Sequence, residues 1–319
     1  MNNLPWIEKY SPKKLDDIVG NKESITRIKT FILSNLPHLI IFGSSGTGKT
    51  CITQAIIREY FKGIDYKNMY LDMNASDERG VSTVRNKIRI FVKRKIHLPK
   101  NLKRIIILDE ADNMTESSQK ILTEFMEKDT IFIFVCNNIE KIYENIQSRC
   151  IIINLYDISD IDIIKHLEKI CIQENIKVNK KGLETLAFIC QGDIRQALNN
   201  MQSTFTCFGN IECENIYKIC DKPHPDIIYD IITLCIDKKV DEACEKVVKL
   251  WNNGFTAIDI VKTFFLIIKK INIIPKKKIN YIVNIAFTHL RILEEINSPI
   301  QLTSMIVKLC NNNNGIDFY

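Results

Sequence analysis

The chain has 319 residues, 45% of them apolar, and a formal net charge of +6. That length allows about two domains with buried cores, and mild basicity permits a nucleic-acid partner without requiring one. The eleven cysteines stand singly, with no C-x-x-C pair and no His/Cys spacing for zinc, so reduced thiols in a cytosolic or nuclear protein are expected and a disulfide framework is not.

In chain order, the opening MNNLPWIEKYSP lacks the apolar run of a signal peptide. Residues 38–42 (HLIIF) predict a strand stopping at Gly43, and residues 49–61 a helix leading away from it. Residues 81–95 place Val84, Ile88 and Phe91 on one helical face. A second strand at 104–108 stops at Asp109. A helix follows at 115–127, with Thr115 as N-cap and Ile121, Leu122, Phe125 and Met126 on one side. Strands at 131–136 and 151–155 complete the set. Unbroken β-branched runs suit strands covered on both faces, as in a parallel sheet. After about residue 156 only helices are predicted: 160–173, 180–190, 193–203, 240–251, 256–271 and 276–296. The run TAIDIVKTFFLIIKK is too short and too charged to span a bilayer and reads as a buried helix. CDKPHPD at 220–226 reads as a linker, CNNNNG is low-complexity, and no internal repeat is present. The expected architecture is an α/β domain over 1–155, a small helical domain over 156–221 and an all-α domain over 222–319.

Gly43-Ser44-Ser45-Gly46-Thr47-Gly48-Lys49-Thr50 fits G-x-x-x-x-G-K-[ST], after a predicted strand and opening a predicted helix. In that setting glycines let main-chain N–H groups turn onto phosphate oxygens. Lys49 would neutralise the β/γ-phosphates, Thr50 would ligate Mg²⁺, and the helix adds its positive end. IIILDEAD supplies the second carboxylate site at a strand end: Asp109 for Mg²⁺, Glu110 to polarise an attacking water. Two acids can also end a strand as a solvated turn, but a phosphate loop some sixty residues earlier favours hydrolysis. Asn137 ends the third strand where an amide could orient that water, with Asn138 an alternative one residue on. Arg149, before the fourth strand, and Arg195, opening a helix, could each be ordinary surface arginines.

The segments PWIEKYSPKKLDDIVGN, GSSGTGKT, LDMNASDERG, IIILDEAD, QSRC and QGDIRQALNNMQSTFTCFG, in this order, resemble the AAA+ ATPases, specifically the small subunits of replication factor C, the eukaryotic clamp loader. The resemblance covers residues 4 to about 310. It implies an ATP- and Mg²⁺-dependent P-loop ATPase with a helical lid and a helical collar, working in the nucleus in DNA replication and repair. Its partners would be four other subunits in a heteropentameric ring, a sliding clamp and primer-template DNA. Arg149 is similar to the finger that completes a neighbour's site, Arg195 to the sensor-2 arginine and Asn137 to sensor 1. The stretch from Tyr10 to Val19 resembles the segment against adenine. The implied nucleotide contacts are Tyr10, Ile18, Val19, Gly43, Ser44, Ser45, Gly46, Thr47, Gly48, Lys49, Thr50, Cys51 and Arg195.

After NASDERG, Arg85, Arg89 and Lys93 fall at i, i+4 and i+8, opposite the apolar face. Such a stripe is usually just solvated. The resemblance makes it a surface tracking DNA phosphates, with Lys87 a weaker member, and predicts structure-specific, salt-sensitive binding. Three departures from the family stand out. Ser44-Ser45 replace two prolines, predicting a floppier but working loop. Ser11 replaces an arginine. Thr123-Glu124 replace paired arginines on a helix facing neighbours or DNA. Two rivals stay open: a subunit that binds nucleotide without turnover, and a hexameric branch-migration motor.

Overall fold

The computed structural model describes residues 4–75, 81–94, 99, 102–126, 130–220, 222–294 and 298–311. Of the stretches singled out above, 76–80, 95, 127–129, 221, 295–296 and 312–315 lie outside them. The chain divides into two compact units, Met1–Glu212 and Cys213–Tyr319.

The first unit begins with α1 (Trp6–Lys9) and α2 (Lys22–Leu33), then alternates strand and helix. β1 (Leu39–Gly43), α3 (Lys49–Tyr60), β2 (Tyr70–Asn74), α4 (Val81–Lys93), β3 (Arg104–Asp109) and α5 (Glu116–Phe125) lead to β4 (Thr130–Cys136), α6 (Glu144–Gln147) and β5 (Ile151–Leu155). The strands form one sheet in the order β2-β3-β4-β1-β5, every pairing parallel. The apolar runs are unbroken because both faces are covered. On one face Leu39, Ile41, Ile105, Ile107 and Ile133 pack with Ile25 and Ile28 of α2 and Ile52 and Ile56 of α3. On the other, Ile40, Ile106, Leu108, Phe132 and Phe134 pack with Val84, Ile88 and Phe91 of α4 and Leu122 and Phe125 of α5. Thr115 caps α5, its hydroxyl accepting from the Ser118 N–H.

The four strands read from the sequence are present. β2 is absent from that reading for a physical reason: it is an edge strand in which only Met73 is buried, and Asp72 and Asn74 break the apolar run. Three helices, α7 (Asp160–Gln173), α8 (Lys180–Cys190) and α9 (Ile194–Phe208), complete the first unit. α9 also holds the N-terminal segment. Trp6 is buried, donates its backbone N–H to Gln202 Oε1 at 2.8 Å and stacks on Phe205.

The second unit is all helical: α10 (Cys213–Cys220), α11 (Pro225–Ile236), α12 (Val240–Asn252), α13 (Ala257–Lys270), α14 (Pro275–Leu293) and α15 (Pro299–Asn311). The compact division thus precedes α10, while the proline-rich stretch separates α10 from α11 inside this unit. His224 caps α11 and Pro225 takes its first position, where its missing N–H costs nothing. α13, the densest apolar run, is capped by Thr256 and buries Ile260, Val261, Phe264 and Ile268. Among the described residues no helix is long and apolar enough to cross a membrane. Phe264 is 0% exposed, so Phe264→Ala should destabilise this unit by about 3–5 kcal/mol. Thr256→Ala, which removes only the cap, should cost about 1 kcal/mol; urea melts of both variants check the ranking.

Candidate functional site

Parallel pairing brings the carboxyl ends of β1, β3 and β4 to one edge of the sheet. Phe42 is level with Cys136, and Leu108 with Phe134. Gly43, Asp109 and Asn137 therefore leave the sheet side by side. A cavity of about 300 Å³ opens there. It is lined by the loop from Ser45 to Cys51, by Asp109, Glu110 and Asn137, and by Tyr10, Ile18, Val19 and Arg195. Gly43, Ser44 and Arg149 do not line it.

Gly48 has φ +91°, a left-handed turn that glycine adopts without strain, and it delivers Lys49 as the first residue of α3. The Lys49 ammonium donates to Gly43 O at 2.8 Å, Ser44 O at 2.7 Å and Asn137 Oδ1 at 2.8 Å. Burial pulls its pKa below the ordinary lysine value, and the nearby Asp109 carboxylate opposes that shift. Thr47 is buried, its hydroxyl returned to Ser44 O.

Thr50 donates its hydroxyl to Asp109 Oδ2 at 3.0 Å, and the other Asp109 oxygen accepts the Glu110 N–H at 2.9 Å. Glu110 has φ +53°, in the left-handed region uncommon for a side chain of this size. Its carboxylate accepts from Asn113 at 3.2 Å. A hydroxyl and a carboxylate this close are hard oxygen ligands of the kind Mg²⁺ takes when phosphate and water supply the rest of its shell. Among the described residues no group of three or more His, Cys, Asp or Glu side chains forms a metal site.

The geometry separates the two asparagines. Asn137 turns its amide onto Lys49, whereas Asn138 caps the following turn by accepting from the Glu140 N–H at 2.9 Å. Asp112 holds both backbones, one oxygen accepting the N–H of Asn137 and of Asn138 at 3.2 Å each.

Ser44 and Ser45 do not make the loose loop expected of them. Ser44 Oγ donates to Asp157, and Ser45 Oγ donates to Asp193 Oδ2 at 3.1 Å. Tyr10 donates its hydroxyl to Glu174 Oε1 at 2.6 Å, an oxygen shared with the Lys9 ammonium at 2.6 Å. Ser11 Oγ lies 3.9 Å from Cys51 Sγ.

Arg149 is exposed and donates to the carbonyl of Thr123 at 3.2 Å, so it lies on the outside of its own chain. Arg85, Arg89 and Lys93 are exposed along one side of α4, away from the buried Val84, Ile88 and Phe91, and Lys87 is exposed on its other flank. Glu124 of α5 stands 3.8 Å from Arg85 and shares a shallow hollow with Arg89, Val92, Lys93 and Phe125. One of the departures from the family pattern therefore places a negative charge on the basic face.

Sequence reasoning missed Ile7, Val135, Cys136, Ile158, His166, Ile194 and Leu198 as cavity residues. Ile7 falls one turn before Tyr10 and could have been found with it. His166 is a lone histidine on an amphipathic helix, and only the fold brings it to the cavity. Burial pushes the Cys136 thiol up to about 12, so it stays protonated.

Residues 39–157 match the ATPase family associated with various cellular activities (AAA). Residues 165–206 match an RCF1/5-like AAA+ ATPase lid domain, and residues 223–308 the replication factor C C-terminal domain. The chain is 42% identical to the probable replication factor C subunit 2 of Dictyostelium discoideum, covering 96% of this chain and 92% of that one. It is 40% identical to replication factor C subunit 4 of Saccharomyces cerevisiae, covering 98% and 97%. With the replication factor C small subunit of Sulfolobus acidocaldarius it shares 36% identity over 95% of each chain. Among solved structures, the RuvB Holliday junction branch migration motor of Thermotoga maritima shares the fold with a TM-score of 0.55. That match has 14% identity and covers 66% of this chain and 72% of the motor's.

His166 yields a prediction on pH. Burial, and then the charge of Lys169, hold its pKa below the ordinary histidine value. Below about pH 6.5 the unfolded chain therefore takes up a proton that the folded chain does not. Its contribution to stability is complete above that pH and is lost as pH falls toward the folded pKa. His166→Phe should flatten the decline of the urea midpoint between about pH 7 and 5; an unchanged slope would contradict the assignment.

Proposed function

The chain belongs to the family of replication factor C small subunits, and we propose the roles that its residues play in that family's ATP-dependent loading of a sliding clamp. The observation that carries the reading is the convergence of Lys49, Thr50, Asp109, Glu110, Asn137 and Arg195 on one cavity at the sheet edge. The protein is an ATPase. In our reading the loop amides and Lys49 take the β- and γ-phosphates, and Thr50 and Asp109 hold Mg²⁺, which would offset charge on the phosphate oxygens. Tyr10, Ile18 and Val19 lie against the base. Glu110 accepts the proton of the attacking water, Asn137 orients that water against the γ-phosphate, and Arg195 ties the lid helix to the nucleotide. Catalysis is then mostly positioning and charge neutralisation.

Arg149 points out of its own site, which supports its acting on a neighbour's nucleotide. That requires other replication factor C subunits beside it, in a ring of five by analogy with the eukaryotic family. We place the ATPase domain at 1–155, the lid at 156–221 and the collar at 222–319, and the working place in the nucleus. The exposed Arg85 and Arg89, with Lys87 more weakly from the flank of the helix, would follow the phosphates of primer-template DNA. ATP binding would order the ring around an opened clamp, and DNA would trigger hydrolysis and release. Neither rival is favoured. The acid pair needed for turnover is intact, and the likeness to the branch migration motor extends to the fold alone.

Lys49→Ala should abolish ATP binding by this chain, measured with a fluorescent ATP analogue; native affinity would refute the site. Arg149→Ala in a reconstituted loader should leave this subunit's ATP binding intact and lower turnover at the adjoining site. Loss confined to its own site would refute action in trans. Arg85→Gln should weaken DNA binding about equally across sequences and make the log K against log salt slope shallower by about 0.9.

A further inference from the structure

The serine pair of the phosphate loop does something the nucleotide site alone does not explain. Both hydroxyls donate to carboxylates in the segment leading from β5 to α9. Ser44 Oγ donates to Asp157, and Ser45 Oγ donates to Asp193 Oδ2 at 3.1 Å. The other Asp193 oxygen accepts the Gln196 N–H at 2.9 Å and so caps α9. A single carboxylate thereby joins the loop to the start of the helix that carries Arg195. The Ile194 N–H adds a main-chain bond to Gly46 O at 3.3 Å.

Packing around these bonds leaves little slack. Gly46 has φ +73°, and a β-carbon there would overlap the Asp193 carboxylate. At Gly192 a β-carbon would come within 2.8 Å of Asp157 Cβ. Two carboxylates beside a loop shaped for phosphate are electrostatically adverse unless donors satisfy them. The serine hydroxyls are such donors, and an apolar pair at 44–45 could make neither bond.

We propose that Ser44 and Ser45 are positioning residues that clasp the phosphate loop to the lid helix, setting Arg195 over the cavity before ATP arrives. The proposal rests on the reading of the cavity as the ATP site. Its physical content is preorganisation: ordering of the lid that would otherwise be charged against binding is already done in the free protein.

Once the second tryptophan, Trp251 of α12, is replaced by phenylalanine, Trp6 supplies a reporter, because it stacks on Phe205 of α9 at 5.9 Å and its backbone N–H is held by Gln202. In the full chain, Ser44→Ala/Ser45→Ala should bind a fluorescent ATP analogue roughly tenfold more weakly, as the loss of two hydrogen bonds implies. The nucleotide-free variant should also show altered Trp6 emission. Ser44→Thr/Ser45→Thr keeps both hydroxyls and should restore affinity and emission. In the reconstituted loader the alanine pair should raise KM for ATP, and the threonine pair should bring KM back to the native value. If the double variant does not fold, Ser45→Ala alone carries the test, with about a threefold loss expected. Native affinity and native Trp6 emission in the alanine variant, with Lys49→Ala unable to bind, would overturn the clasp and leave the ATP site standing. Native binding by Lys49→Ala would remove the ATP site and the clasp with it.

Discussion

The ammonium of Lys49 is the point at which three separate segments are tied together. Its contacts to Gly43 O, Ser44 O and Asn137 Oδ1 join the end of β1, the loop and the end of β4. This is possible only because β1 lies between β4 and β5 and every strand runs the same way. An antiparallel neighbour would carry one of these ends to the far side of the sheet. Half-burying the charge disfavours it, as the direction of the Lys49 shift indicates, and three acceptors together with Asp109 offset that cost. The carbonyls now holding Lys49 are what phosphate oxygens would replace, so the positive charge is already placed for them.

The cavity is assembled from residues distant in sequence. Its walls come from 7–19, 45–51, 109–110, 135–137 and 158–198. The N-terminal segment can serve as a wall because α9 grips it at Trp6 and Glu174 grips it at Tyr10. The same helical subdomain that carries Arg195 therefore also fixes Tyr10. A shift of the lid would move both together, which couples the Tyr10 wall of the cavity to the Arg195 wall. Arg149 is excluded from this enclosure, its guanidinium resting on a carbonyl at the end of α5. Of the side chains read as catalytic, Lys49, Asp109, Glu110 and Asn137 line the cavity, and Arg149 is pointed outward by its own chain.

How much of this is legible in the sequence follows from what each residue responds to. The strands β1, β3, β4 and β5 are readable because both their faces are buried and their apolar runs are unbroken. β2 is not, because an edge strand half in solvent tolerates Asp72 and Asn74. The phosphate loop is readable because glycine and lysine spacing is imposed locally by backbone conformation. The sequence locates Asn137 only to within one residue, since both asparagines lie at the strand end and only their contacts, Lys49 for Asn137 and the Glu140 N–H for Asn138, tell the side chains apart. His166, Leu198 and Asp157 left no signal, because their proximity to the loop is created by tertiary packing. The serines were misjudged on the same ground. Local chemistry suggested a looser turn, and partners more than a hundred residues away supply the restraint.

The acidic turn after β3 bears on whether this is a working ATPase site or merely a solvated end of a strand. Holding Glu110 in the left-handed region costs about 1–2 kcal/mol. Here the conformation is over-determined: Asp109 accepts the Glu110 N–H, Asn113 donates to its carboxylate, and Asp112 is fastened to the end of β4. Asp112 also keeps one oxygen buried with no hydrogen-bond partner among the described residues, a further cost. Strain at Glu110 and the unpartnered Asp112 oxygen fall on the one turn that follows Asp109. The turn presents the Glu110 carboxylate at the cavity beside Asp109, which is where the proposed hydrolysis would need it.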